Sequence, residues 1–184
     1  MERVICLFIG YVFGLFQTAY FYGKTKGIDI RKYGSGNAGT TNALRVLGTK
    51  AGLIVFAGDC LKCIIAVCIT RALFSTGHPE NIYLLCLYTG AGSIIGHNFP
   101  FYMGFKGGKG IAATAGLILS FHPYFIVMGV VLFFGAFLTT HYVSLGSLLV
   151  YAGFMIQMVV CGQMGLFGAM PQSVSYTHLT LPTT

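Results

Sequence analysis

The chain has 184 residues, of which 55% are hydrophobic and only 8% carry a charge. Soluble domains contain about 25% charged residues, so this composition excludes an ordinary soluble domain. A mean hydropathy of +0.78 instead predicts an all-α, polytopic integral membrane protein. Basic residues outnumber acidic ones by 11 to 4, and most of them lie in two polar segments.

Apolar segments that are long enough, or nearly long enough, to cross a bilayer recur along the chain. We expect about six transmembrane helices, some of them short, near 4–22, 51–73, 81–101, 111–121, 124–138 and 143–161. The short segments on either side of Pro123 fit two tilted helices joined by a tight turn or one long kinked helix. We favour two helices.

The distribution of positive charge predicts the topology. With two helices around Pro123, the breaks after the first, third and fifth segments share one face. Eight of the 11 basic residues then lie on that face: Lys24, Lys26, Arg31, Lys32, Arg45, Lys50, Lys106 and Lys109. The positive-inside rule makes this face cytoplasmic and places the N-terminus outside. A single kinked helix would still leave the two basic loops together.

The first polar segment contains a glycine-rich motif at 34–45, Gly-Ser-Gly-Asn-Ala-Gly-Thr-Thr-Asn-Ala-Leu-Arg. Its amide and hydroxyl donors could surround an anion, and Arg45 could add a bidentate contact. Thr41, Asn42 and Arg45 have the spacing of one helical face. The alternative is a flexible turn between spans, but the tight grouping of polar side chains favours an anion site.

The second motif, at 96–110, reads Gly-His-Asn-Phe-Pro-Phe-Tyr-Met-Gly-Phe-Lys-Gly-Gly-Lys-Gly. Glycine lets the backbone approach a ligand closely, and Lys106 and Lys109 supply point charges suited to phosphate. The pattern indicates a phosphate-bearing ligand handled beside lipid. The alternative is a basic loop that only determines topology. Neither motif has the spacing of a Walker nucleotide loop.

Charged residues also occur within a predicted span. Asp59 and Lys62 are three positions apart on one helix face, where they could form an ion pair. We favour a structural pair over direct catalysis. The six cysteines lie in apolar segments, and we interpret them as packing residues rather than as a metal or redox site.

Taken together, the two motifs resemble the signature motifs of the bacterial acyl-phosphate:glycerol-3-phosphate acyltransferase family. Asp29-Ile30-Arg31, Asp59-x-x-Lys62 and residues 142–147 are also similar to that family, and the resemblance extends to about Met170. It implies a transferase of phospholipid biosynthesis in the bacterial cytoplasmic membrane. Such an enzyme moves a fatty acyl group from acyl phosphate to the 1-hydroxyl of glycerol 3-phosphate, giving lysophosphatidic acid and phosphate.

The resemblance also implies roles for individual residues. The first motif would hold one substrate phosphate with Ser35, Gly36, Asn37, Gly39, Thr41, Asn42 and Arg45. The second would hold the other phosphate with Lys106, Gly107, Gly108, Lys109 and Gly110, and Ser144 is a further substrate-binding candidate. The expected catalytic residues are His97, Lys106 and Arg45, and His97 is either a general base or a residue that packs and orients its loop.

We expect the two substrates and the lipid bilayer as partners, a monomer, and no metal, cofactor or nucleic acid. Acyl phosphate is an activated donor, so direct attack by the glycerol hydroxyl, with a substrate phosphate taking the proton, fits better than a covalent acyl-enzyme. The competing function is a small membrane transporter or channel for an anionic solute. A non-catalytic scaffold would explain neither motif.

The C-terminal sequence departs from the family pattern. After Cys161 nothing matches the third motif that family members carry, and residues 174–184 resemble translated sequencing-adapter DNA. From this we expect one membrane domain at 1–173, incomplete at its C-terminus, a non-native tail at 174–184, and an inactive chain.

Overall fold

The computed structural model describes residues 1–165, and within that range the chain forms α-helices and short 3₁₀ turns but no strands. The helices are α1 (Glu2–Gly14), α2 (Thr18–Thr25), α3 (Thr40–Leu47), α4 (Thr49–Phe74), α5 (Ile82–Asn98), α6 (Ile111–Phe121), α7 (Pro123–Thr140) and α8 (Val143–Gln163). Four segments are long and apolar enough to cross a membrane: α1 with α2, α4, α7 and α8. The prediction of an all-α, multi-pass membrane protein is confirmed.

We had expected the first span to be one continuous helix, but the structure divides it into two. Helix α1 ends at Gly14 and α2 begins at Thr18, with Gln17 in an extended conformation between them. A break inside a membrane frees backbone carbonyls, which need partners within the protein because lipid supplies none. The sequence pattern showed an uncharged segment and gave little sign of the break, apart from the adjacent polar residues Gln17 and Thr18.

Remote side chains satisfy the carbonyls of this break. Lys62 Nζ donates to the carbonyl oxygen of Phe16 at 2.6 Å. The hydroxyl of Tyr102 donates to that of Leu15, also at 2.6 Å. These donors come from α4 and from the loop after α5, so the break is stabilised by the same regions that carry the predicted motifs.

Helices α1 and α5 run parallel and in close contact. A side chain at Gly10 would overlap the carbonyl of Thr89, and one at Gly14 would overlap the carbonyl of Ser93. Small residues permit such an approach, which is the usual basis of tight helix packing in membranes. The N-terminus therefore lies at the same end of the bundle as the start of α5.

The segments around Pro123 form two helices, as predicted. His122 is extended, and its ring nitrogen accepts a hydrogen bond from the N–H of Tyr124 in the first turn of α7. Helix α7 then folds back along α6, where Gly129 lies against Ile118. Helix α8 returns antiparallel to α7, and Gln157 donates to the carbonyl of Tyr124 at 3.1 Å.

This path brings three connections to one end of the bundle: 26–39, 99–110 and 141–142. The N-terminus, the 75–81 turn and the break at His122 lie at the other end, where Arg71 donates to the carbonyl of Phe121 at 2.9 Å. The arrangement agrees with the predicted grouping of the basic loops. That the basic end faces the cytoplasm stays a prediction.

Cysteine labelling tests this orientation. In a background without the native cysteines, Lys24→Cys and Lys109→Cys should react with an impermeant maleimide only from the cytoplasmic side. Gly77→Cys should react only from outside, and its added side chain meets no neighbouring atom. Labelling of positions 77 and 109 from the same side would contradict the arrangement.

Candidate active site

The first motif folds into a turn that leads into α3. Gly34 and Gly36 have φ angles of 59° and 72°, a region that favours glycine. The buried Asn42 side chain holds this turn: its Oδ1 accepts from the N–H of Ser35 at 2.9 Å, and its Nδ2 donates to the carbonyls of Ile30 and Tyr33. Since both amide hydrogens are used within the protein, Asn42 shapes the loop.

The start of α3 presents the motif to solvent. Gly39 is its N-cap, no side chain caps it, and the N–H of Ala43 is the first to pair with the Gly39 carbonyl. The preceding N–H groups point out of the helix end, where the helix dipole favours an anion. Thr41 and Arg45 are exposed one turn apart. The predicted helical face therefore exists, but Asn42 turns away from it.

Arg45→Lys tests whether a planar guanidinium is needed at this surface. The change retains the charge but removes the bidentate contact that only arginine makes with phosphate. We expect kcat/KM to fall at least about tenfold, which corresponds to ~1.4 kcal/mol. Lys50→Arg is the matched control, and near-normal turnover of Arg45→Lys would show that the residue contributes only charge.

An ion pair precedes the motif. The side chain of Arg31 donates to Asp29 Oδ1 at 3.0 Å and to Oδ2 at 2.8 Å. These hydrogen bonds lower the pKa of Asp29 from its ordinary 3.8 to about 2. The pair's contribution to stability is therefore present above about pH 4 and is lost as the pH falls toward 2.

Comparison with Asp29→Asn measures this contribution. We expect the variant to melt at a slightly lower temperature than the unmodified protein at pH 7, since solvent screening limits a pair this close to the surface. The difference should shrink strongly as the pH falls from 4 to 2, because about half of the native carboxyls are protonated at pH 2. A difference of unchanged size at pH 2 would assign the effect to packing.

The second motif is fastened to the end of α5 by its backbone. The N–H of Gly107 donates to the carbonyl of Asn98, and the N–H of Gly108 to that of His97, both at 3.0 Å. These two N–H groups are therefore occupied within the protein, although we had expected Gly107 and Gly108 to hold a phosphate. What Gly107 and Gly108 contribute is the absence of a side chain: a Cβ at either would overlap an atom of His97.

The open donors of this motif lie just beyond its glycines. Gly110, with a φ of 76°, is the N-cap of α6, and the N–H of Thr114 is the first to pair back to it, at 2.8 Å. The N–H groups of 111–113 thus have no acceptor within the helix and lie at its positive end. Lys106 and Lys109 are exposed beside them.

Met103 links the two motifs. Its buried side chain packs in an apolar cluster with Ala38 and Ala43 of the first motif and with Val55 of α4. Met103 itself lies in the 3₁₀ turn that opens the second motif's loop. The two predicted phosphate sites are therefore parts of one packed unit.

A buried polar network lies behind the second motif. Lys62 Nζ is 2.9 Å from Asp59 Oδ1 and 2.8 Å from His97 Nδ1. Thr18 donates its hydroxyl to the same Asp59 oxygen at 2.9 Å. The predicted Asp59–Lys62 pair is confirmed. Its connections to His97 and to Thr18 were not predicted, because they join positions far apart in the sequence.

An apolar cavity of about 410 Å³ opens beside this network. It lies between the first span and α4, and Lys62 is the one charged residue among those that line it. The other lining residues are Val12, Phe13, Phe16, Gly58, Leu61 and Ile65. The cavity is large enough for part of a hydrocarbon chain, and Lys62 joins its lining to the polar network.

The structure differs from the predicted set of site residues in two ways. Ser144 is exposed at the start of α8, which within the described range packs mainly against α7 and not against either motif. Conversely, Gln17 and Tyr102 support the site but were not predicted. Gln17 Nε2 donates to the carbonyl of His97 at 2.9 Å. A glutamine within an otherwise apolar span was the one sequence feature that could have pointed to this role.

Known proteins resemble this chain over nearly its whole length. Residues 4–181 match the family model described as glycerol-3-phosphate acyltransferase. A protein of that name from Halalkalibacterium halodurans is 41% identical over 183 residues, covering 98% of this chain and 84% of the relative. Another from Chlorobaculum tepidum is 42% identical over 153 residues, covering 79% of this chain and 66% of the relative.

Solved structures agree with the sequence relatives. The crystal structure of PlsY (YgiH), an integral membrane glycerol 3-phosphate acyltransferase, in its glycerol 3-phosphate form superposes with a TM-score of 0.78 at 29% identity. That match covers 95% of this chain and 90% of the other. The lysophosphatidic acid form gives a TM-score of 0.74 at the same identity, with 95% and 91% covered.

These matches give no support to the expectation of a truncated, inactive chain with a foreign tail. The family match continues through residue 181, and the alignment with the H. halodurans protein takes in nearly the whole chain. The tail itself, 174–184, lies outside the described residues. Matches of this extent to a family model, to relatives and to solved structures lead to one conclusion: this chain belongs to the glycerol-3-phosphate acyltransferase family.

Proposed function

We propose that this protein transfers a fatty acyl group from acyl phosphate to the 1-hydroxyl of glycerol 3-phosphate, as a monomer in the bacterial cytoplasmic membrane. The observation that carries the proposal is the apolar cavity beside Lys62, whose ammonium contacts His97 of the second basic, glycine-rich motif. A donor with a hydrocarbon chain and a phosphate needs both environments in contact.

Each motif supplies one phosphate contact. The open N–H groups at the start of α3, with Thr41 and Arg45, suit one phosphate. The open N–H groups at the start of α6, with Lys106 and Lys109, suit the other. Packing of Met103 between the motifs keeps these two positions at a constant separation, which transfer between two bound substrates requires.

The proposed reaction is a single displacement at the acyl carbon. The oxygen of the 1-hydroxyl attacks the carbonyl carbon and forms the new ester bond, while the bond from that carbon to the phosphate oxygen breaks. The hydroxyl proton passes to a substrate phosphate, and inorganic phosphate leaves. The cationic side chains and helix ends stabilise the negative charge that develops.

Phosphate release tests the donor. Purified protein in lipid vesicles should release phosphate from palmitoyl phosphate only when glycerol 3-phosphate is added, with lysophosphatidic acid formed in equal amount. Palmitoyl-CoA should not replace palmitoyl phosphate. Turnover with palmitoyl-CoA alone would disprove the proposed donor, and an acyl group trapped on the protein would disprove direct attack.

The family match does not favour the transporter. The features that had suggested a transporter, namely the basic loops and the charged residues within a span, are explained by the proposed acyltransferase site. Uptake of glycerol 3-phosphate into vesicles without acyl transfer would reverse this preference.

A further inference from the structure

The hydrogen bonds of Lys62 determine the protonation of His97. A lysine ammonium has three hydrogens and no lone pair to accept with. Its three shortest contacts are the carbonyl of Phe16 at 2.6 Å, His97 Nδ1 at 2.8 Å and Asp59 Oδ1 at 2.9 Å. Since the ammonium must donate in each contact, Nδ1 of His97 accepts and carries no proton.

The neutral ring then carries its proton on Nε2. This nitrogen lies on the opposite side of the ring, against Gly108 of the second motif. Within residues 1–165, Nε2 has no hydrogen-bond partner in the protein. A buried ring thus directs an unused N–H donor toward the loop that holds Lys106 and Lys109.

The surroundings favour this arrangement over a protonated ring. On α4, Lys62 and Asp59 face the imidazole, and Asp59 Oδ1 is 3.7 Å from Nδ1, beyond hydrogen-bonding distance. The first span contributes the uncharged Gln17 and Thr18 to this network. From the second motif, the uncharged Gly108 lies against the ring. A second proton on Nδ1 would meet the ammonium of Lys62 directly.

We propose that Asp59 and Lys62 are positioning residues that hold His97 as the Nε2–H tautomer, so that His97 donates a hydrogen bond to an oxygen of the phosphate bound at the second motif. In this role His97 is a hydrogen-bond donor to substrate and not a proton acceptor. The inference rests on the proposed function for the identity of the bound phosphate. The tautomer itself does not depend on that function.

The tautomer is read directly by nitrogen NMR. Full-length protein with ¹⁵N-labelled histidine, in lipid nanodiscs, gives the His97 signals by difference from His97→Gln. Between pH 6 and 8 we expect an unprotonated Nδ1 and a protonated Nε2. Addition of inorganic phosphate should shift the Nε2–H resonance. A protonated Nδ1, or no shift when ³¹P NMR shows phosphate bound, would overturn the proposal.

Variants test the positioning role. In Lys62→Gln the side-chain oxygen can accept from Nδ1, so we expect signals of the Nδ1–H tautomer to appear. An unchanged tautomer in the folded variant would contradict control by Lys62. Should this variant not fold, the spectrum of the unmodified protein still decides the tautomer.

Activity separates a donor from a base. Glutamine can place an N–H near the position of Nε2, whereas asparagine reaches only the position of Nδ1. His97→Gln should therefore stay within about tenfold of normal kcat/KM, and His97→Asn should lose about a hundredfold, a difference of ~1.4 kcal/mol. The pH profiles of the unmodified protein and His97→Gln should superimpose. Loss of an acidic limb in His97→Gln would identify His97 as a general base.

If palmitoyl phosphate proves not to be the donor while Nε2 is protonated and responds to phosphate, the proposed function fails and the role of His97 stands. If palmitoyl phosphate is the donor but Nε2 is unprotonated or does not respond to phosphate, the proposed function stands and the donor role of His97 fails.

Discussion

Replacing Gly107 by alanine is expected to lower acyl transfer at least about a hundredfold, because misplacement of reacting groups by ~1 Å has that effect. A Cβ at this position would overlap the carbonyl oxygen of His97 and approach the ring of Pro100 at 2.7 Å. A backbone carbonyl cannot rotate away as a flexible side chain can. The loop would therefore move off the end of α5 and carry Lys106 with it.

The control is alanine at Gly135, a helical position on α7 where an added side chain meets no neighbouring atom. It should retain normal activity, and both variants should reach the membrane in equal amounts. The assay is phosphate release at saturating and at limiting glycerol 3-phosphate. Normal turnover by Gly107→Ala would show that the loop has room to adjust and that its close approach to His97 is not required.

Lys62→Met is expected to destabilise the protein by ~3–5 kcal/mol, the usual consequence of removing one partner from a buried ion pair. Methionine fills similar space but leaves the carboxylate of Asp59 without its cation. It also leaves the carbonyl of Phe16, which Lys62 satisfies at 2.6 Å, without a partner inside the membrane. Unfolding in mixed micelles, followed by helical circular dichroism, measures the loss.

Two further variants identify the cause. Lys50→Met removes an exposed lysine and should leave stability unchanged. Lys62→Met combined with Asp59→Leu should recover part of the loss, since no unpaired charge remains, while the Phe16 carbonyl stays unsatisfied. Equal stability of Lys62→Met and the unmodified protein would show that lipid headgroups or water replace the lysine.

Local patterns predicted much of the fold. Long, mostly apolar segments predicted α4, α7 and α8 to within a few residues, and Pro123 marked the turn between α6 and α7 because its ring cannot continue a preceding helix. The break at Gln17 was missed. The carbonyls freed by this break accept hydrogen bonds from Lys62 and Tyr102. The hydropathy of the first span cannot predict these partners, because they lie elsewhere in the sequence.

In the candidate site, too, local features were predictable and contacts between distant residues were not. The two motifs were recognised by their glycines and basic side chains, and the ion pair of Asp59 and Lys62 by helical spacing. Which atoms remain available to a ligand depends on three-dimensional pairing. Gly107 and Gly108 give their N–H groups to α5, and Asn42 uses its amide within its own loop, so composition alone overstated the number of free donors.

The depth of the second motif has an electrical consequence. Lys62 lies at the middle of α4, and Gly108 lies beside the ring that Lys62 contacts. On the proposed topology, a phosphate anion that moves from the basic face to the buried ring of His97 crosses part of the membrane potential. That potential amounts to ~2.3 kcal/mol per elementary charge per 100 mV across the full bilayer. With the basic face in the cytoplasm, the negative cell interior drives the anion outward from that face to the site, so an energised membrane should strengthen substrate binding.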